Sequence, residues 1–129
     1  MENEILELVH RDRFADYVGI ELVEIEKGYA KTKVEITENH LNGLDMVQGG
    51  LIFTLADCAF AAASNSKGFK TVGINANISY FHSPRGEYIY AKAKEITSSN
   101  RLTHHDIRVF DDKDELIAKV NATGYMKKN

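Results

Sequence analysis

The stretch that decides the fold is "LIFTLADCAFAAASN", which runs from Leu51 to Asn65. Its first thirteen residues are almost all apolar, and its five alanines favour a helix over a strand. A helix that is apolar on every side has to be buried on every side. We therefore expect a long central helix enclosed by the rest of the chain. The exception in this stretch is a carboxylate, Asp57, in the middle of the apolar run.

The segments on either side of this helix have the pattern of strands. Residues 19–36 indicate a hairpin that turns at Gly28. After Gly68 the apolar residues alternate with polar ones through four further segments, and we expect one face of the first to carry Val72, Ile74, Ala76, Ile78 and Tyr80. The predicted fold class is α+β, with an antiparallel sheet of five or six strands curled around the helix. Residues 2–17 fit a short amphipathic helix, and residues 1–129 are expected to form a single domain.

The composition narrows the classes of function. A formal net charge of −3 gives no basic face for nucleic acid, so no such partner is expected. No apolar run approaches the ~20 residues that cross a bilayer, and the charged amino terminus does not resemble a signal peptide. We expect no membrane association and a cytoplasmic protein. The one cysteine, Cys58, excludes an intrachain disulfide and is expected to act as a small buried hydrophobic residue.

Asp57 has two explanations at this point. It either accepts hydrogen bonds that fix the helix, or it lines a cavity and takes part in chemistry. Gly50 stands where the helix should begin, and Asp57 follows two helical turns later, so the two residues share a face. Backbone N–H groups are free at a helix start, and a glycine lets an oxygen approach closely. A donor of this kind, followed by a carboxylate, suits addition to a carbonyl group.

Residues 40–66, "HLNGLDMVQGGLIFTLADCAFAAASNS", resemble the signature of the PaaI-type hotdog-fold acyl-CoA thioesterases, which are related to phenylacetic acid degradation. The likeness extends more loosely over nearly the whole chain. It implies a hotdog fold, with a long central helix wrapped by a curved antiparallel sheet. It also implies dimers with sheets joined edge to edge, usually paired into tetramers. The reaction implied is hydrolysis of an acyl- or aryl-acyl-CoA thioester to free acid and CoA, with no cofactor and no metal.

The resemblance assigns roles to four residues. Asp57 would be the catalytic carboxylate, acting as general base on water or as nucleophile. The Gly50 N–H, supplied by the other subunit of a dimer, would polarise the thioester oxygen, and Asn42 would help to hold the thioester or the water. Gln48 stands where many members of the family have a histidine. A glutamine can donate a hydrogen bond but cannot carry a proton, so we expect Gln48 to position the substrate.

The resemblance also places polar and basic residues at the mouth of the site, against the CoA phosphates: Arg85, Asn100, Arg101 and His82. Lys67 and Lys70 are second choices. The five histidines form no helical pair with metal-ligand spacing, so no metal site is predicted, and we expect the histidines at the surface or at an interface.

Two other functions use the same fold. The first is a non-catalytic acyl-CoA-binding or sensing protein, against which Asp57 argues because a binder has little need of that charge. The second is a dehydratase, which would use a catalytic histidine where this chain has Gln48. The acyl group stays open between aryl-acetyl and medium-chain groups. The residues expected to shape its pocket are Phe53, Phe60, Tyr80 and Phe81.

Overall fold

Six antiparallel strands form one sheet that curves around a 17-residue helix. The computed structural model describes residues 2–128 of the chain, and the side chains of residues 4–128. The helices are α1 (Glu2–His10), α2 (Arg13–Val18) and α3 (Gly49–Asn65), with a short 3-10 turn at Glu38–His40. The strands are β1 (Glu21–Glu26), β2 (Tyr29–Glu35), β3 (Lys70–Tyr80), β4 (Tyr88–Ser99), β5 (Leu102–Asp111) and β6 (Leu116–Lys127).

The order of strands across the sheet is β1-β2-β4-β5-β6-β3. Helix α3 contacts every strand, so it occupies the concave side of the sheet. This is the hotdog arrangement, and it confirms the predicted α+β class with a six-stranded sheet. The hairpin turn at Gly28 is also confirmed, because that glycine has a φ of 78° between β1 and β2.

Helix α3 is enclosed on most of its circumference but not on all of it. Leu55, Ala56 and Ala59 are fully buried against the sheet. In contrast, Gly50 and Asp57 are exposed. The prediction that every side is buried is therefore wrong for the single chain, where one face of the helix remains open to solvent.

Strand β3 forms one edge of the sheet and is exposed along most of its length. Its pairing with β6 shifts between Gly73 and Asn75, so Ile74 is an extra residue in a β-bulge. The expectation that Val72 and Ile78 share a face is wrong for this reason, since the bulge changes the alternation. Val72 and Ile74 are 47% and 57% exposed, which leaves an apolar, unpaired edge of the kind that pairs with another chain.

The amino-terminal segment is two helices where the sequence analysis predicted one over residues 2–17. Asp12 interrupts it: its Oδ1 accepts a hydrogen bond from the Ala15 N–H at 3.0 Å and caps the start of α2. Gly19, with a φ of 90°, caps the end of α2. Ile5 and Ala15 are buried and anchor the two helices to the rest of the core.

Two of the five histidines lie inside the protein, contrary to the expectation that histidines are at a surface or an interface. His105 is 1% exposed and packs edge to face on Phe60, with ring centroids 5.2 Å apart. Burial lowers the pKa of His105 to about 4, so the imidazole is neutral at neutral pH. Its place in the core comes from the alternation of β5, which turns His104 to the other face.

Candidate active site

The open face of α3 carries both residues that the sequence analysis placed there. Gly50 and Asp57 are exposed, whereas Leu51, Ile52 and Cys58 beside them are buried. Thr54 lies between the two on the same face, and its hydroxyl donates to the Gly50 carbonyl oxygen at 2.7 Å. Among the described atoms, which are the backbone of residues 2–128 and the side chains of residues 4–128, neither oxygen of the Asp57 carboxylate has a hydrogen-bond partner. The helix therefore does not need this side chain for its own bonding.

The Gly50 N–H is covered by Gln48. Gln48 is the N-cap residue of α3, and its Oε1 accepts a hydrogen bond from the Gly50 N–H. This is the N–H that the sequence analysis identified as the donor to a carbonyl oxygen. In this structure the amide oxygen of Gln48 is thus the acceptor of the Gly50 N–H.

Gly49, the first residue of α3, is in close contact with the end of β3. The Tyr80 hydroxyl, from the end of β3, donates to the Gly49 carbonyl oxygen at 3.1 Å. A Cβ atom on Gly49 would lie 3.2 Å from the Tyr80 ring, which is a tight contact. The glycine thus lets the edge strand approach the helix start closely, and Tyr80 is fixed beside Gln48 and Gly50.

Asn42 shapes the loop that leads into the helix. Its Oδ1 accepts hydrogen bonds from the N–H groups of Leu44 at 2.8 Å and of Met46 at 3.1 Å. These two bonds fix the orientation of the amide, so that its Nδ2 is the end left for another partner. Asn42 is exposed and offers this donor to solvent.

His40 is a structural residue that holds this loop, and the sequence analysis missed its role. Its Nδ1 accepts from the Thr37 N–H at 2.9 Å, and its Nε2 lies 2.8 Å from the Val18 carbonyl oxygen. Its own carbonyl oxygen accepts from the Gln48 N–H at 2.9 Å. The ring thus connects α2 to the loop on which Asn42 and Gln48 stand. The capping pattern of Thr37 followed three residues later by a polar side chain was the available signal.

The pKa of Asp57 is raised above its ordinary value. Burial is the larger cause, since the apolar surroundings remove much of the water around the carboxylate although one side of it reaches the surface. The nearby Asp12 carboxylate is the second cause, because two like charges oppose each other. A carboxylate with a raised pKa is a stronger base than one in free solution.

The four residues predicted to bind CoA do not come together in one chain. His82 and Arg85 follow β3, near the start of α3, and the Arg85 N–H donates to Asp111 at 2.9 Å. Asn100 and Arg101 form the turn between β4 and β5, where the Arg101 guanidinium donates to the Lys128 carbonyl oxygen at 2.8 Å. The β4–β5 turn lies beside the first residues of β3. The two groups are therefore separated by the length of β3, about 30 Å at the usual rise per residue.

The two lysines named as second choices for binding CoA, Lys67 and Lys70, differ in their surroundings. Lys67 is engaged, with its ammonium group 2.7 Å from the Glu95 carboxylate. Lys70 is exposed at the start of β3 and lines a groove of about 590 Å³ beside the open face of α3. Arg11 and Lys127 line the same groove, so three positively charged side chains surround it.

Of the aromatic residues predicted to shape an acyl pocket, Phe60 does not face an open pocket, so the prediction is wrong for this residue. It is 4% exposed and points at the sheet, where it contacts His105 and lies 3.2 Å from the position of a Cβ on Gly73. Tyr80 and Phe81 are about half exposed near the helix start, and Phe53 is partly exposed on α3. These three residues stay candidates for the wall of an acyl pocket.

The structure also bears on membranes and metals. None of the helices formed by residues 2–128 has the length and hydropathy that crossing a bilayer requires. Within the same residues, His, Cys, Asp and Glu side chains form no group of three or more suited to a metal ion.

Comparison with known proteins identifies a matching family and several relatives. Residues 45–118, which include Gln48, Gly50 and Asp57, match the Thioesterase superfamily. The acyl-coenzyme A thioesterase PaaI of Escherichia coli K12 is 28% identical over 112 residues, covering 86% of this chain and 80% of that protein. A protein of Archaeoglobus fulgidus, to which an esterase function is ascribed, is 35% identical over 115 residues, covering 88% of this chain and 75% of that one.

The fold has close counterparts among solved structures. The PaaI protein of the E. coli phenylacetic acid degradation operon superposes with a TM-score of 0.90 and 24% sequence identity. The superposition covers 95% of this chain and 90% of that one. At this level of identity the match establishes the shared fold.

Proposed function

Because this chain belongs to the Thioesterase superfamily, as a PaaI-type hotdog thioesterase, and is a thioester hydrolase, we propose that it hydrolyses an acyl- or aryl-acyl-CoA thioester to free acid and CoA. The observation that carries the proposal is the open face of α3, where the Gly50 N–H and the Asp57 carboxylate are the two groups that addition to a thioester requires. The similarity to an acyl-coenzyme A thioesterase supports CoA as the thiol.

The proposed mechanism gives each residue one task. The thioester oxygen replaces Gln48 Oε1 as acceptor of the Gly50 N–H, which then stabilises the negative charge that develops on this oxygen. Asp57 either removes a proton from the attacking water or attacks the carbonyl carbon itself. When water attacks, the C–S bond then breaks, the free acid forms, and the CoA thiolate takes up the proton that Asp57 removed. When Asp57 attacks, loss of the CoA thiolate leaves a mixed anhydride on Asp57, which water hydrolyses to the free acid. Asn42 holds the thioester or the water through its Nδ2 donor.

One chain alone does not bring these groups to one carbonyl. Gly50 and Asp57 are seven residues apart on α3, which is about 10 Å along the helix axis. In the reaction, the thioester carbon has to lie within about 3 Å of the attacking atom, and the thioester oxygen has to lie within about 3 Å of the N–H donor. We infer that each site combines Gly50 of one copy with Asp57 of a second copy.

Pairing of two copies through the β3 edge would satisfy this requirement. The edge strand is 11 residues long, exposes Val72 and Ile74, and pairs on one side only within the described part of the chain, as a site for strand addition has to. Antiparallel pairing across a two-fold axis places the end of one β3 beside the start of the other. It would thereby bring His82 and Arg85 of one copy towards Asn100 and Arg101 of the other, joining the two groups that one chain keeps apart. Such dimers could pair further into tetramers.

A panel of acyl-CoA thioesters tests the proposed function directly. We expect the purified protein to release free thiol from at least one of an aryl-acetyl-CoA and a series of straight-chain acyl-CoA compounds, with turnover within the usual range of about 1–1000 per second. Thiol release is measured continuously with a chromogenic thiol reagent. The absence of release from every thioester, with saturable binding retained, would instead indicate a non-catalytic binder.

Once displaced from the Gly50 N–H, the Gln48 amide is proposed to position the substrate by donating a hydrogen bond from Nε2, and substitution of Gln48 tests this role. Gln48→Ala removes the amide and is expected to lower kcat/KM by about tenfold, the scale of one lost hydrogen bond. Gln48→His restores a donor at the same place and should give a working enzyme. Both are measured on the best thioester of the panel. An inactive Gln48→His variant that is folded and still binds substrate would contradict the positioning role, and a faster Gln48→Ala variant would mean that Gln48 only obstructs Gly50.

A further inference from the structure

The open face of α3 continues past Asp57 towards the end of the helix. Ala61 and Asn65 follow Asp57 at intervals of four residues, so the three side chains lie on one stripe of the helix. Ala61 and Asn65 are partly exposed, whereas Ala59 and Ala62 beside them are buried. Both partly exposed residues line the groove of about 590 Å³ between α1, α3 and the start of β3. The groove thus begins about one helical turn beyond Asp57.

The walls of this groove are suited to a hydrocarbon chain. Its apolar lining comes from α1, α3 and β3: Leu8, Val9, Cys58, Ala61 and Val72. The polar side chains that α3 and β3 add are already bonded. Asn65 Oδ1 accepts from the Thr71 N–H at 2.9 Å, and the Thr71 hydroxyl donates to the Ser64 carbonyl oxygen at 3.1 Å. An acyl chain leaves no polar group unpaired here, whereas the amide groups of the pantetheine arm of CoA would lie against apolar walls.

Two lysines stand at the end of the groove that is farther from Asp57. Lys70 precedes Thr71, which is bonded to Asn65, and Lys127 lies directly opposite Lys70 on β6. Like charges in this arrangement repel each other. Among the side chains of residues 4–128, neither lysine has an acidic partner within ion-pair distance. A negatively charged group of a ligand would relieve the repulsion.

We propose that the groove holds the acyl chain of the substrate and that Lys70 and Lys127 bind a carboxylate at the far end of this chain. The preferred substrates are CoA thioesters of dicarboxylic acids, in which the second carboxylate stays free. This inference rests on the proposed function, because it concerns the acyl group of the same thioester. Arg11 and Asp12 also line the groove, and their opposite charges offset each other, so the two lysines determine its net charge.

The distance from Asp57 to the lysines sets the length of the chain. Asp57 and Asn65 are eight residues apart, which is about 12 Å along the axis of α3. With C–C bonds of about 1.5 Å, an extended chain advances by about 1.25 Å per bond, so about ten carbons span this distance. A chain of this length brings its terminal carboxylate to Lys70 and Lys127 when its thioester carbon lies at Asp57.

The test compares decanoyl-CoA with its ω-carboxy counterpart, since the two thioesters share the CoA part and the chain length. We expect kcat/KM to be about tenfold higher for the ω-carboxy compound, the scale of one hydrogen bond to a charged group. In Lys70→Met and Lys127→Met the ratio of the two values should fall towards one, because methionine keeps an unbranched side chain without the charge. Lys92→Met removes a lysine that points away from α3 and should keep the wild-type ratio.

Two outcomes of this comparison would overturn the carboxylate site. The first is an equal kcat/KM for the two thioesters in the wild-type protein. The second is a loss in the Lys70 and Lys127 variants that is the same for both thioesters, because the lysines would then bind the phosphates of CoA and not the acyl group.

Ala61→Leu tests whether the acyl chain lies in the groove. Leucine is a good helix former and Ala61 is partly exposed, so the fold should be kept. The larger side chain fills the groove about one turn from Asp57. We expect kcat/KM to fall about tenfold more for decanoyl-CoA than for acetyl-CoA, the scale of two methylene groups kept out of the groove. An equal loss for both would mean that the pantetheine arm occupies the groove, and would overturn the proposal.

Thioether analogues of the matched pair, which cannot be hydrolysed, give the same comparison by titration calorimetry. Tighter binding of the ω-carboxy analogue would support the carboxylate site even in a protein that releases no thiol. Equal binding of the two analogues would overturn it. A wild-type protein that releases no thiol from any acyl-CoA would overturn the proposed function, and the calorimetric result would still decide between the two kinds of ligand.

Discussion

Asp57→Asn is expected to lower turnover of the best acyl-CoA substrate by at least ~100-fold, the scale of lost general-base assistance. The substitution keeps the size of the side chain and removes its charge and basicity. The melting temperature should hardly change, because Asp57 has no hydrogen-bond partner within residues 2–128 and stands on the open face of α3. Substrate binding should also be kept. Turnover and melting temperature are measured on the same preparation.

A matched variant shows whether the charge or its position matters. Asp114→Asn removes a carboxylate from an exposed turn with a φ of 59°, a conformation that asparagine also tolerates. We expect wild-type turnover for this variant. The contrary result is an Asp57→Asn protein that hydrolyses thioesters at nearly the wild-type rate per folded molecule. It would mean that Asp57 is a polar residue of the helix and takes no part in the chemistry.

Gly50→Pro is expected to cause a loss of similar size, about 100-fold or more, because it removes one donor to the developing oxyanion. Proline is tolerated in the first turn of a helix, where its missing N–H costs no intrahelical bond. In this chain the Gly50 N–H is bonded to the Gln48 side chain, so the hydrogen bonds of the helix itself stay intact. Turnover is measured together with the circular dichroism spectrum.

Gly50→Ala is the control for the added atoms of proline. Both variants place a Cβ where it meets only the flexible end of Gln48, at 2.7 Å, but alanine keeps the N–H. We expect Gly50→Ala to be clearly more active than Gly50→Pro. Equal activities would show that the loss comes from crowding at the helix start and not from the missing donor.

The sequence predicted the main elements of the fold because their signals are local. The alanine-rich apolar run determines α3, and the alternation of apolar residues determines the strands. The break at Asp12 was missed although both caps are present in the sequence, an aspartate before α2 and Gly19 after it. The amphipathic pattern of residues 2–17 continues past Asp12 and by itself predicts a single helix.

The bulge in β3 had no comparable local signal. The run from Val72 to Tyr80 alternates without interruption, and the shift appears only in the pairing with β6. It arises where Gly73 and Gly124 face each other and the ring of Phe60 packs on both. The bulge depends on a contact between three segments that are distant in the sequence, so the residue pattern of β3 alone does not predict it.

In the candidate site, too, local spacing predicts one part of the arrangement, and contacts between distant segments determine the other part. The shared face of Gly50 and Asp57 follows from helix geometry, so spacing alone predicted it. The residues that the resemblance assigns to CoA lie in turns and connections, and the position of a turn depends on the order of strands in the sheet. Arg85 and Arg101 consequently lie at opposite ends of β3.

Hybrid dimers test whether one active site takes Gly50 from one copy and Asp57 from another. Asp57→Asn and Gly50→Pro chains with different affinity tags are expressed together, and dimers that carry both tags are purified. In such a hybrid, one site combines the intact Gly50 of the first chain with the intact Asp57 of the second. We predict about half of the wild-type turnover per dimer, although each parent is nearly inactive. A hybrid no more active than its parents would show that both residues act within one chain, and would contradict the account.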